Sequence, residues 1–129
     1  MSLRSPLGRV LGHGSARSGS EHWWAQRVSA VALVPLTLWF VVSLFLKGAF
    51  DYGTMRQFIE QPFDGFLCVL LVLALAYHSF LGTSVVVEDY VHTPGVKIAS
   101  LLALRFAHFL AGGAAEFAIL RIVFGNHLS

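Results

Sequence analysis

Three long apolar runs constrain the fold of this chain more than any other feature of its sequence. They cover residues 28–46, 65–87 and 99–124, and about 20 residues in a helix cross a bilayer core of roughly 30 Å. Because every backbone polar group inside hydrocarbon must be bonded within the protein, isolated strands are excluded. The sequence also lacks the ten-residue alternation of a membrane barrel. We therefore predict an all-α membrane protein whose three transmembrane helices pack with a partner into a helical bundle.

The composition excludes several classes of function. Of the 129 residues, 56% are hydrophobic and 12% are charged, so three spans leave no room for a separate soluble catalytic domain. The single cysteine, Cys68, lies in an apolar run and is predicted to pack, because a disulfide or a metal cluster needs further thiolates. The basic residues are dispersed among the spans and build no nucleic-acid-binding face.

The runs divide the chain into an amino-terminal arm of residues 1–27, a three-helix anchor of residues 28–124 and a short tail of residues 125–129. Pro35 lies inside the first run, but membrane helices tolerate proline, so this span is predicted to be continuous. Thr93 and Pro94 are predicted to begin the third helix as N-cap and first helical residue. The glycines and serine of residues 12–15 predict a flexible segment that orders where a partner docks.

The distribution of basic residues predicts the orientation in the membrane. Five lie on the amino-terminal side and three on the opposite side, which places the amino terminus in the cytoplasm or its organellar equivalent. Residues 1–20 are rich in arginine and serine without a long apolar core, which excludes a secretory signal and resembles a transit peptide in composition. The five are Arg4, Arg9, Arg17, Arg27 and Lys97, and the three are Lys47, Arg56 and Arg121.

His78 is the ionisable residue that lies deepest in the second span. It precedes Asp89 by eleven residues, which at 1.5 Å per residue is about 16 Å from the helix end. Gly82 follows one turn later on the same face and leaves room beside the ring. Such a histidine suits an axial haem ligand, but an imidazole hydrogen-bonded to a neighbouring helix fits the spacing equally well.

The third span carries Arg105, His108 and Glu116 within about 80° of its circumference. We expect these groups to form structural hydrogen bonds with a partner chain rather than a proton path. Alanines recur at every fourth position beside Gly112 and Gly113, which predicts a seam against another helix. The alanines are Ala99, Ala103, Ala107, Ala111 and Ala115.

Asp89 and Tyr90 lie at the membrane boundary. A tyrosine hydroxyl can donate a hydrogen bond to a quinone carbonyl, and a carboxylate can orient or transfer protons. An ordinary aromatic belt with a solvated acid explains the same two residues.

The sequence around these residues resembles the small hydrophobic membrane anchor subunits of succinate dehydrogenase, closest to the alphaproteobacterial and mitochondrial types. The likeness covers almost the whole chain. It is carried by residues 14–16, Gly19, residues 22–24, Gln26 and Arg27, residues 78–82 and residues 88–90.

The resemblance implies a role for each site residue. His78 corresponds to an axial ligand of haem b, whose other ligand comes from the larger cytochrome b-type anchor subunit. Tyr90 corresponds to a residue that hydrogen-bonds ubiquinone, with Asp89 beside it. Arg27 corresponds to a basic residue near the haem propionates, and His22 is expected to assist it. Gly82 is expected in the haem vicinity, and the resemblance gives Arg105, His108 and Glu116 no role.

The implied function is shared with partner subunits. A flavoprotein subunit oxidises succinate, an iron–sulfur subunit carries the electrons, and this chain, not catalytic alone, anchors them in the lipid and completes the ubiquinone site. The expected location is a bacterial inner membrane, with the mitochondrial inner membrane as the alternative. Two other functions stay open: the anchor of a fumarate reductase that uses menaquinone, and a structural membrane adaptor without cofactor.

Overall fold

The computed structural model describes residues 16–125, with side chains from Ser20 onward. Within these residues, four helices follow in chain order: α1 (Ala16–Lys47), α2 (Tyr52–Glu60), α3 (Pro62–Tyr90) and α4 (Pro94–Gly125). Helices α1, α3 and α4 are long and apolar enough to cross a membrane. The prediction of an all-α chain with three transmembrane helices is confirmed. The flexible segment predicted at residues 12–15, and residues 126–129 of the tail, lie outside the described residues.

Helix α3 is the central element, with α1 and α4 packed against it. The connections place neighbouring helices antiparallel, so the ends of α1 and α4 meet the start of α3. Helix α1 continues through Pro35 as predicted, and α4 begins at Pro94 as predicted. All three long helices extend beyond the predicted spans, because an apolar run marks the membrane-embedded part of a helix and helical hydrogen bonding continues outside it.

Helix α1 ends at a glycine, and a cap then starts α2, a helix that the apolar runs did not predict. Gly48 has φ +61°, and the Ala49 N–H donates to the Leu44 carbonyl oxygen at 3.0 Å, which is a Schellman ending. Asp51 then accepts hydrogen bonds from the Thr54 N–H at 3.0 Å and the Thr54 hydroxyl at 2.6 Å. The bond from the Thr54 hydroxyl is the main reason that the pKa of Asp51 lies below its ordinary value.

The main core lies where α2 closes the bundle, and we call this region the packed end. It is built on the buried residues Ala49, Phe58, Cys68 and Ile119. The Phe58 ring lies 5.8 Å from that of Trp39, centroid to centroid. The prediction that Cys68 packs is confirmed, since its side chain is buried in this cluster.

A close approach and an ion pair also stabilise the packed end. A Cβ atom at Gly65 would lie 2.6 Å from the Ile59 carbonyl oxygen and 2.7 Å from Val123 Cγ2, so only glycine fits between α2 and α4. The Lys47 ammonium at the end of α1 pairs with the carboxylate of Asp64 in the first turn of α3.

Candidate functional site

His78 contacts α1 through one of its two ring nitrogens. The Nδ1 atom lies 3.0 Å from the Ser29 hydroxyl oxygen, and that hydroxyl donates to the Gln26 carbonyl oxygen at 2.9 Å. Ser29 is only 7% exposed, so both bonds are sheltered within the α1–α3 contact. Within the described residues, Nε2 has no hydrogen-bond partner.

Gly82 lies one turn from His78 and also faces α1. A Cβ atom at this position would lie 3.6 Å from the Gln26 side-chain nitrogen. Ser29 is therefore beside His78, and Gln26 is beside Gly82, which fixes the antiparallel register of α1 and α3. The space next to Gly82, expected beside the histidine ring, is thus bordered by a polar side chain of α1.

His108 is the second histidine deep in the bundle, and both of its nitrogens are engaged. Nδ1 lies 2.9 Å from the Leu104 carbonyl oxygen, and Nε2 lies 3.1 Å from the Ser79 hydroxyl oxygen on α3. A carbonyl only accepts, so Nδ1 carries the proton and Nε2 of the neutral ring accepts from Ser79. Both hydrogen bonds of His108 lie within this chain, and the expected hydrogen bonds of this helix face to a partner chain stay a prediction.

The other polar side chains of α4, Arg105 and Glu116, have different surroundings from those of His108. The Arg105 guanidinium lies 5.8 Å from the centroid of the Phe80 ring. Both carboxylate oxygens of Glu116 are buried without a hydrogen-bond partner among the described residues. Gly112 faces Ala76 of α3, where a Cβ atom would lie 3.3 Å from the alanine Cβ, so the predicted seam is used partly within the chain. Its alanines at positions 99, 103, 107 and 111 are exposed.

His22 and Arg27 lie on different surfaces of α1. His22 borders a groove of about 520 Å³ between the long helices, together with Glu88 and Arg105. Arg27 is exposed, and its guanidinium lies 5.0 Å from the Trp23 ring centroid. The remaining groove residues are Tyr77, Phe80, Leu81, Ser84, Ile98, Leu101 and Leu102.

Asp89 and Tyr90 are the last two residues of α3, and both are exposed. The helix ends there with a hydrogen bond from the Val91 N–H to the Val87 carbonyl oxygen. The Lys97 ammonium donates to the Glu88 carbonyl oxygen at 2.8 Å, which joins α4 to the end of α3. Tyr90 is 79% exposed, so its hydroxyl is accessible to a molecule from outside the chain.

Comparison with known proteins identifies the family to which this chain belongs. The family model described as "Succinate dehydrogenase/Fumarate reductase transmembrane subunit" matches residues 1–112. The chain belongs to this family. The matched residues include all of α1 and α3, and so Ser29 and His78.

Several curated relatives in this family carry related names. The chain is 30% identical to the succinate dehydrogenase hydrophobic membrane anchor subunit of Paracoccus denitrificans, over 94% of this chain and 93% of that one. It is 28% identical to the subunit of that name from Rickettsia bellii, over 84% and 86%. It is 34% identical to the succinate dehydrogenase membrane anchor subunit of Reclinomonas americana, over 69% and 77%. No solved structure gives a significant match.

Sequence reasoning missed one residue of the candidate site in this succinate dehydrogenase/fumarate reductase family member. That residue is Ser29. It is a polar residue just inside the first apolar run, and it follows His22 and Gln26 by seven and three residues, which places all three on one face of α1. That spacing was the available signal. Its partner, 49 residues away, is fixed only by the register of α1 against α3.

Proposed function

We propose that this chain is the smaller membrane anchor subunit of a succinate:ubiquinone oxidoreductase, respiratory complex II. The names of its relatives and its three membrane-length helices support this assignment. The proposed location is a bacterial inner membrane, and the five-to-three distribution of basic residues supports an amino terminus on its cytoplasmic side. One observation carries the proposal: His78 lies in a membrane span with Nδ1 engaged and Nε2 without a partner among the described residues.

This donor chemistry fits a haem b site. A neutral imidazole that is held through one nitrogen can bind iron through the other. His78 is proposed as one axial ligand, and the larger cytochrome b-type anchor subunit as the source of the second. The exposed Arg27 guanidinium is proposed to bind a haem propionate through paired hydrogen bonds. Haem b, when bound, supplies a one-electron redox centre.

The boundary residues after His78 support a quinone site. Tyr90 has an exposed hydroxyl that can donate a hydrogen bond to a ubiquinone carbonyl. The neighbouring Asp89 carboxylate is exposed as well and can orient or exchange a proton with solvent. The iron–sulfur subunit is proposed to cover these residues and to deliver electrons from the flavoprotein subunit, where succinate is oxidised. This chain contributes the anchor and one wall of the quinone pocket.

The haem assignment is tested by His78→Leu in the co-expressed complex. We expect the reduced-minus-oxidised haem b spectrum to be lost or strongly perturbed while the subunits still co-purify. His108→Leu is the matched control because it also removes an imidazole from the bundle, but one whose two nitrogens are already engaged. We expect it to leave the haem b spectrum in place.

Three results would contradict the proposal. An unchanged spectrum in His78→Leu would reject the ligand assignment, and a wild-type complex without haem would favour a structural adaptor. Extraction of quinone from the purified complex tests the direction of the reaction. Menaquinone without ubiquinone would point to a fumarate reductase anchor.

A further inference from the structure

The Ser29 hydroxyl makes two hydrogen bonds, one within α1 and one to His78 on α3. It lies 2.9 Å from the Gln26 carbonyl oxygen, to which it donates, and 3.0 Å from Nδ1 of His78. A hydroxyl has one hydrogen to donate, and a carbonyl oxygen can only accept. With that hydrogen used for Gln26, the bond between Ser29 and His78 requires the hydrogen of Nδ1.

This arrangement determines the tautomer of the imidazole. A neutral ring carries its proton on one nitrogen and a lone pair on the other. A proton on Nδ1 leaves the lone pair on Nε2, the atom without a partner among the described residues. Because Ser29 is buried, water does not easily replace the hydroxyl at this position.

We infer that Ser29 is the positioning residue of the proposed haem site. It holds the His78 ring against α1 and fixes the tautomer whose Nε2 binds iron. The inference rests on the proposed function, since it assigns a role toward the haem to a residue that does not touch it. Gln26 takes part through its backbone carbonyl, so its side chain is not required for this role.

The inferred bond has an electronic consequence. When the N–H of the ring nitrogen that does not bind the metal donates a hydrogen bond, the imidazole becomes a stronger electron-pair donor to the metal. The groups that accept this hydrogen bond therefore tune metal affinity and redox potential. A stronger donor favours the oxidised iron. Loss of the Ser29 oxygen therefore shifts the haem midpoint potential to a more positive value and weakens haem retention, by roughly tenfold or more where such partners have been removed.

Three substitutions in the co-expressed complex test the inference. Ser29→Ala removes the acceptor, Ser29→Cys replaces it with a weakly accepting thiol of similar size, and Ser29→Thr keeps the hydroxyl. Ser79→Ala is the matched control, because it removes the hydroxyl that serves His108 instead of His78. The readouts are haem b content, the midpoint potential from redox titration, and the low-temperature electron paramagnetic resonance signal of the oxidised haem.

We expect Ser29→Ala to raise the midpoint potential, change the resonance signal and reduce haem content. Ser29→Cys should change the midpoint potential and the resonance signal in the same direction but by less. Ser29→Thr and Ser79→Ala should keep the wild-type potential, signal and haem content. The inference is overturned if Ser29→Ala and Ser29→Cys keep the wild-type potential and signal. If Ser29→Ala does not assemble, Ser29→Cys decides alone. Loss of haem in His78→Leu together with unchanged Ser29 variants rejects this inference only, whereas unchanged haem in His78→Leu rejects the proposed function.

Discussion

The two ends of the bundle differ in how many of their side chains find packing or hydrogen-bonding partners within the chain. The packed end buries Phe58 and Cys68, pairs Lys47 with Asp64 and caps α2. The opposite end, which we call the open end, leaves several polar and aromatic side chains exposed. These are Trp23, Trp24, Arg27, Asp89 and Tyr90.

This difference separates the residues that stabilise the chain from those that can act on other molecules. Groups satisfied internally hold the helices in register, and groups left unsatisfied are available to other molecules. His78 and His108 show the same contrast at the level of one residue type, since His108 uses both nitrogens within the chain and His78 uses one. Substitutions at the packed end should therefore affect assembly, and those at the open end should affect reaction with quinone.

The largest effect of this kind is expected for Gly65→Ala. The new Cβ atom would lie 2.6 Å from the Ile59 carbonyl oxygen, a backbone atom that no side-chain rotation can move away. Overpacking of this type costs typically 1–3 kcal/mol, so the yield and thermal midpoint of the purified complex should fall. Gly95→Ala is the control, because a Cβ atom there has no neighbour within 4 Å. Equal stability of the two variants would contradict the description of the packed end.

A smaller effect, on activity alone, is expected for Tyr90→Phe at the open end. Loss of one hydrogen bond to quinone costs about 1 kcal/mol, which is roughly a fivefold reduction in the rate of quinone reduction. Electron transfer from succinate to a soluble dye should be unchanged, because the dye does not need this site. Tyr52→Phe is the matched control, since Tyr52 is 78% exposed beside the packed end. If both activities fall together in Tyr90→Phe, the quinone assignment is wrong.

Most features that depend on local sequence could be predicted, whereas a contact between residues far apart in the chain could not. The three spans, the passage of α1 through Pro35 and the start of α4 at Pro94 depend on local sequence, and all were predicted. Helix α2 was missed because it is short and begins at a cap, Asp51, rather than with an apolar run. The bond between Ser29 and His78 could not be predicted, because broadly apolar helices do not specify the register that brings the two residues together. The roles of His78 and Tyr90 toward haem and quinone stay predictions.

The smallest predicted effect concerns the cap of α2, where the packed end reaches the solvent. The hydroxyl of Thr54 is the main group that holds the pKa of Asp51 below its ordinary value of 3.8. A carboxyl whose folded-state pKa is lowered stabilises the fold above the unfolded pKa, and this stabilisation is lost as the pH falls through the folded value. The contribution is thus complete at neutral pH and declines below about pH 4.

Asp51→Asn isolates this contribution, because asparagine caps a helix about as well as aspartate but does not titrate. The thermal midpoint of the purified complex should fall slightly less between pH 7 and pH 3 in the variant than in the wild type. Thr54→Val should lower the midpoint at pH 7, because it removes the hydroxyl hydrogen bond to the charged carboxylate. An identical pH dependence in wild type and Asp51→Asn would show that the cap does not depend on its charge, and the packed end would then be stabilised by burial and the Lys47–Asp64 pair.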